Sequence, residues 1–76
     1  MKTVEISLNS IDKVKSFVND ISKFDFDFDL VSGRYVIDAK SIMGIFSLDL
    51  LSPITLVAHT DFADELFEKI AKYVVD

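Results

Sequence analysis

The sequence has no cysteine and no tryptophan, one proline, two glycines and one histidine. Without cysteine there can be no disulfide, no thiolate nucleophile and no thiolate-ligated metal. That suits a reducing compartment, and a cytoplasmic location is expected. Scarce glycine and proline leave no linker, repeat or low-complexity tract. Positive charge is short as well: 8 Lys and Arg stand against 13 Asp and Glu, a net charge of −5. A surface of that sign repels phosphate backbones, which argues against nucleic acid and is compatible with protein partners. No apolar run approaches the ~20 residues of a membrane span, and the first residues do not read as a signal peptide, so no membrane association is expected.

What is present is apolar. Half of the 76 residues are hydrophobic and seven are Phe, enough for one core. We therefore expect a single domain over residues 1–76. A domain this small buries only ~60% of the surface of its unfolded chain, so it has little spare stability.

Val4, Ile6 and Leu8 alternate with Glu5 and Ser7, which predicts a first strand with one buried face. Ile11, Val14, Phe17, Val18 and Ile21 then recur at helical spacing, with Ser10 or Asn9 available as the cap. In the stretch "SKFDFDFDL", Phe26, Phe28 and Leu30 fall on one side of a second strand, and Asp25, Asp27 and Asp29 on the other. A turn at Ser32-Gly33 or Gly33-Arg34 returns the chain as a third strand, with Tyr35, Ile37 and Ala39 on the Phe side. Ser41 can cap a short helix carrying Ile42, Met43, Ile45, Phe46 and Leu48, which is too many apolar residues for one narrow stripe. Ile54, Leu56 and Ala58 face inward from a fourth strand. A last helix is predicted over 60–76, capped by Thr60 or Asp61, with Phe62, Ala63, Leu66, Phe67, Ile70 and Val74 as its buried stripe. The order β-α-β-β-α-β-α calls for an α+β fold in two layers: a four-stranded sheet with its helices on one face. Right-handed crossovers make the first and second strands parallel, with the fourth inserted between them.

The three aspartates do not read as a metal site. A calcium loop beginning at Asp25 needs Gly at the sixth place and Glu at the twelfth, where this chain has Leu30 and Val36. Same-face strand residues also lie ~6.6 Å apart. Their expected role is to keep the open sheet face wet, and no metal or other cofactor is expected.

"KSIMGIFSL", with "ISKFDFDFDL" and the hairpin before it, resembles HPr, the small phosphocarrier of the bacterial sugar phosphotransferase system. The resemblance runs from about Val4 onward and is most specific over Lys40-Ser41-Ile42-Met43-Gly44. It implies the open-faced sandwich of that family, whose element order is the one predicted above. The rest of the motif departs. Counted without gaps back from Ser22-Lys23, the family's Gly-Ile-His-Ala-Arg-Pro-Ala falls on Leu8, Asn9, Ser10, Ile11, Asp12, Lys13 and Val14. Ser10 stands at the phosphorylated His, Asp12 at the phosphate-holding Arg, and Lys13 at the helix-opening Pro. The chain is thus similar to a degenerate HPr without its active site.

The consequences are chemical. A phosphoimidazole passes phosphate on; a serine ester is a low-potential end state. Ser10 has no neighbouring general base, and Asp12 would repel phosphate. His59, the sole histidine, ends the fourth strand at the far end of the sheet from Ser10. Its side chain follows Thr55 and Val57 to the wet face, towards Asp25 or Asp27. The resemblance also implies a regulatory role for Ser41, phosphorylated by an HPr-type kinase; as a bare residue it is a helix cap. Lys40, Ile42, Met43 and Phe46 are the expected partner-binding positions. Ile45 and Leu48 fit the core better, which frees Met43 and Phe46. The implied partners are proteins: the kinase, a transcriptional regulator or an enzyme I-like component. The expected function is non-enzymatic partner binding by a monomer or weak homodimer. The rivals are a phosphocarrier with a displaced acceptor and a small oligomerising domain.

Overall fold

Alternating and helical apolar patterns resolve into the expected elements in a computed structural model, which describes residues 1–75. They are β1 (Lys2–Ile6), α1 (Ile11–Ile21), β2 (Phe28–Ser32), β3 (Tyr35–Asp38), α2 (Ile42–Phe46), β4 (Ile54–Ala58) and α3 (Asp64–Lys69), followed by a 3₁₀ turn at Ala71–Tyr73. The strands form one sheet in the order β1-β4-β2-β3, and every neighbouring pair is antiparallel. β4 therefore lies between β1 and β2, as the right-handed crossovers require.

The pleat explains the layering. Ile6, Phe28, Leu30, Ile54, Leu56 and Ala58 leave one face of the sheet and are fully buried. Val14, Phe17 and Ile21 of α1, Ile45 of α2 and Leu66 of α3 meet them from the helix side. The other face carries Asp29 and Asp38 and meets water. Ser32 pairs with Tyr35, so the hairpin loop is Gly33-Arg34. Gly33 has φ +60°, a left-handed conformation that glycine adopts without steric penalty.

Four details depart from expectation. Ile11 is exposed, because it opens α1 beyond the rim of the core. Tyr35 lies on the Phe side of β3 but past the end of the packed layer, and is also exposed. The last helix begins later than predicted. Ala63 is its N-cap, with no side-chain cap bond, and Phe62 precedes the helical stripe at 83% exposure. Thr60 Oγ1 accepts from the Phe62 N–H at 3.0 Å, forming a local turn and not the helix cap. That helix also ends early. After the 3₁₀ turn the chain becomes extended at Val74, which bridges antiparallel to Ile6. Ser7 N–H donates to Tyr73 O at 2.8 Å, and Val75 N–H to Glu5 O at 3.0 Å. Asp76, the last residue of the predicted helix, lies outside the described residues.

Candidate functional site

α2 begins where β3 ends. Asp38 makes the connection: its Oδ1 accepts from Lys40 N–H at 2.9 Å and its carbonyl accepts from Ser41 N–H at 3.0 Å. Ser41 is then extended (φ −92°, ψ 100°), as an N-cap should be. Its Oγ accepts from Gly44 N–H at 3.3 Å. Gly44 allows the close fit, since a Cβ there would stand 3.2 Å from Ser41 Oγ and 3.3 Å from Ile37 Cδ1.

The crowded apolar run divides as predicted in its exposure. Ile45 is fully buried and Leu48 nearly so, while Ile42 is partly buried. Met43 is 77% exposed and Phe46 40%. They lie three residues apart on one helical face. Ser41 is exposed at the head of the same short helix. Lys40 differs. Its Nζ donates to Phe24 O at 2.7 Å and sits 5.3 Å from the centre of the Phe28 ring. This ammonium ties the loop before β2 to the end of β3, and its charge is engaged inside the chain.

Ser10 is the N-cap of α1. Its Oγ accepts from Lys13 N–H at 3.1 Å, and no imidazole or guanidinium stands near it in sequence. Asp12, Lys13 and Ser16 line a shallow depression with Lys72 and Tyr73, a wall of mixed charge. His59 is at the opposite end of the sheet: Lys2 pairs with Ala58, so His59 lies beside the start of β1. It was expected near Asp25 or Asp27. The contact is instead with Asp29, Nε2 to Oδ2 at 2.7 Å. β2 begins only at Phe28, so Asp25 and Asp27 precede the ladder. Asp27 meets His59 through the backbone, its carbonyl accepting from His59 N–H at 3.0 Å. Among the described residues no three acidic or imidazole groups gather as a metal site would require.

Sequence patterns missed a buried polar cluster. Asp20 on α1 is 7% exposed, and its Oδ2 accepts from Tyr73 OH at 3.1 Å, with Lys72 Nζ at 3.4 Å. The Tyr73 ring meets Phe17 edge-on at 5.5 Å. Burial pushes the Tyr73 hydroxyl above its ordinary pKa, and the Asp20 carboxylate pushes in the same direction. The hydrogen bond to Asp20 raises Lys72. The partners are 53 residues apart, so no local signal could announce them.

No model of a known protein family matches the chain, and no curated protein matches it. Solved structures do. HPr-C-His from Thermoanaerobacter tengcongensis superposes with a TM-score of 0.78 at 29% identity, covering 95% of this chain and 89% of that one. The phosphocarrier protein HPr from Bacillus anthracis gives 0.72 at 32% identity, over 97% and 94%. A Mycoplasma histidine-containing phosphocarrier protein gives 0.70 at 19% identity, over 93% and 86%, a likeness of fold. The open sheet, the three helices on one face and the serine-capped α2 thus define an HPr-type open-faced sandwich. At 32% identity over nearly the whole of both chains, this chain belongs to the HPr-like family.

Proposed function

We propose that this chain is an HPr-like protein of the phosphotransferase system that has lost phosphohistidine relay and acts by binding protein partners through α2, with Ser41 as its regulatory phosphorylation position. One juxtaposition carries this reading: an exposed Ser41 Oγ at the head of the helix whose Met43 and Phe46 side chains stand free of the core. The family motif at 40–44 is intact, whereas Ser10, Asp12 and Lys13 stand where a relay needs His, Arg and Pro. Ser10 Oγ is engaged in capping α1. His59, the alternative acceptor, is hydrogen-bonded to Asp29 at the far end of the sheet. Of the solved relatives, one is named HPr-C-His and another a phosphocarrier protein HPr, which supports a role in the same system.

Chemically, Ser41 Oγ bonds to the γ-phosphorus of ATP, the kinase removes the hydroxyl proton, and ADP leaves. The product carries about −1.5 to −2 charges at neutral pH beside an apolar pair. Such a surface selects a partner with an Arg opposite the phosphate and an apolar hollow for Met43 and Phe46.

Two labelling reactions test the reading. With enzyme I and labelled phosphoenolpyruvate, the expected result is no transfer through this chain to a sugar-specific component. With ATP and an HPr-type kinase, label is expected on the protein and lost in Ser41→Ala. Label arriving on Ser10 or His59 and moving onward would overturn the loss of relay. Absence of label on Ser41 would reduce that serine to a helix cap.

A further inference from the structure

The two edges of the sheet are treated differently. On the β1 side, Ile6 bridges to Val74, and Ser7 and Glu5 exchange backbone bonds with Tyr73 and Val75. On the other side β3 is the outermost strand, and no further strand pairs with it among the described residues. Ala39 N–H donates to Phe28 O at 2.9 Å, so by alternation Tyr35, Ile37 and Ala39 turn their backbone groups towards β2. Val36 and Asp38 therefore turn theirs outward. The Asp38 carbonyl is taken by Ser41 N–H. Val36 N–H, Val36 C=O and Asp38 N–H are left at the open edge. The strand has no proline, lysine or bulge to blunt it, and Tyr35 and Val36 are 69% and 63% exposed.

We propose that β3 pairs antiparallel with β3 of a second copy of this chain, on a two-fold axis through Val36. The sequence Arg34-Tyr35-Val36-Ile37-Asp38 is complementary to itself in that register. Val36 faces its own counterpart and exchanges two N–H···O=C bonds with it. Arg34, the loop residue just before the strand, comes next to Asp38 of the second copy, and the axis makes that contrary-charge contact twice. Tyr35 falls opposite Ile37, and so covers a half-buried apolar side chain. Opposite residues in a ladder share a face. The axis is thus perpendicular to the sheet, and both helix layers lie on the same side of one eight-stranded sheet. A foreign peptide would satisfy the backbone groups but has no reason to carry this charge order. The contact is small, which places it among weak, transient associations.

Sedimentation equilibrium on the full chain, from micromolar to millimolar concentration, tests the pairing. A concentration-dependent dimer is expected, with the Val36 amide gaining hydrogen-exchange protection as it forms. Val36→Lys puts two like charges face to face at the axis and should raise the dissociation constant at least about tenfold. Arg34→Asp, which lies in the loop and spares the strand, should weaken the dimer; Arg34→Asp combined with Asp38→Lys should recover it. Circular dichroism confirms that each variant is folded. A chain still monomeric at about 1 mM, or a dimer indifferent to Val36→Lys and Arg34→Asp, overturns the proposal. So does a dimer lost in Phe46→Ala, which would lie on α2.

Discussion

Asp20 is a carboxylate at the boundary of an apolar core, and its neighbours decide what that costs. Tyr73 OH donates to it from the core side and Lys72 Nζ approaches from solvent. Removing the hydroxyl leaves a buried acceptor short of a partner, a loss of about 1–3 kcal/mol. Tyr73→Phe should therefore lower stability at neutral pH by that amount. The pH dependence follows from burial, aided by the negative charge of Asp20, which raises the Tyr73 pKa above the ordinary 10.0. Ser16 and Lys72 pull the other way but do not reverse it. Because the folded pKa is the higher one, the stabilisation is complete below the unfolded value. It is lost as pH rises through the folded value, at up to about 1.4 kcal/mol per pH unit. Urea unfolding from neutral pH into the alkaline range should show the wild type losing its advantage over Tyr73→Phe above pH ~10. A gap that stays constant, or widens, would show that the hydroxyl is not the titrating group.

At the scale of the element, α2 is a five-residue helix that cannot be stable alone. It stands because Ile45 and Leu48 enter the core and Ser41 and Gly44 close its first turn. Phe46 is 40% exposed and makes a smaller contribution. Phe46→Ala should cost less than about 2 kcal/mol, whereas Ile45→Ala should cost the ~2–5 kcal/mol of a fully buried aliphatic. Chemical denaturation of the two variants decides between a binding face and a core face. If Phe46→Ala costs as much as Ile45→Ala, the side chain belongs to the core and the docking face shrinks to Met43. Element positions were largely legible in the sequence, because period-two and period-3.6 patterns reflect which face is buried. The division of α2 was legible too, since five apolar residues exceed one stripe. The end of the last helix was not. Val74 follows Ile70 by four residues and fits a helical stripe as well as a bridge. Only the open edge of β1, where Ile6 bridges to Val74 from 68 residues earlier in the sequence, favours the extended form. His59 was placed at the right end of the sheet, yet its partner depended on where β2 begins, and helix and strand boundaries are the least readable feature of a pattern. Lys40 shows a similar limit: a long cation reads as exposed, but a carbonyl and an aromatic ring within its reach turned it inward.

Over the whole molecule, stability for a chain of this length is expected at about 4–11 kcal/mol, so a few contacts carry a large share of it. An edge strand left open also invites pairing with other chains. The segment Tyr73–Val75 addresses both points on the β1 side. It buries Tyr73 against Phe17, satisfies Asp20 and bonds to Ser7 and Glu5 of the β1 edge. Val75→Pro isolates one part of this closure. Proline removes the N–H that donates to Glu5 O, and it restricts the preceding residue to extended conformations. Val74 already has φ −70° and ψ 136°, so the residue before the proline need not move. The expected cost is therefore that of one hydrogen bond, about 0.5–1.5 kcal/mol, with no loss of the Tyr73–Asp20 contact. Hydrogen exchange gives the sharper readout. Ser7 N–H bonds to Tyr73 O within the same closure, so its protection should fall with the loosened segment while the central β4 amides keep theirs. If Ser7 and β4 amides lose protection equally, the segment opens only when the whole chain unfolds. Unequal loss would mean that the β1 edge is closed by a separately opening strap.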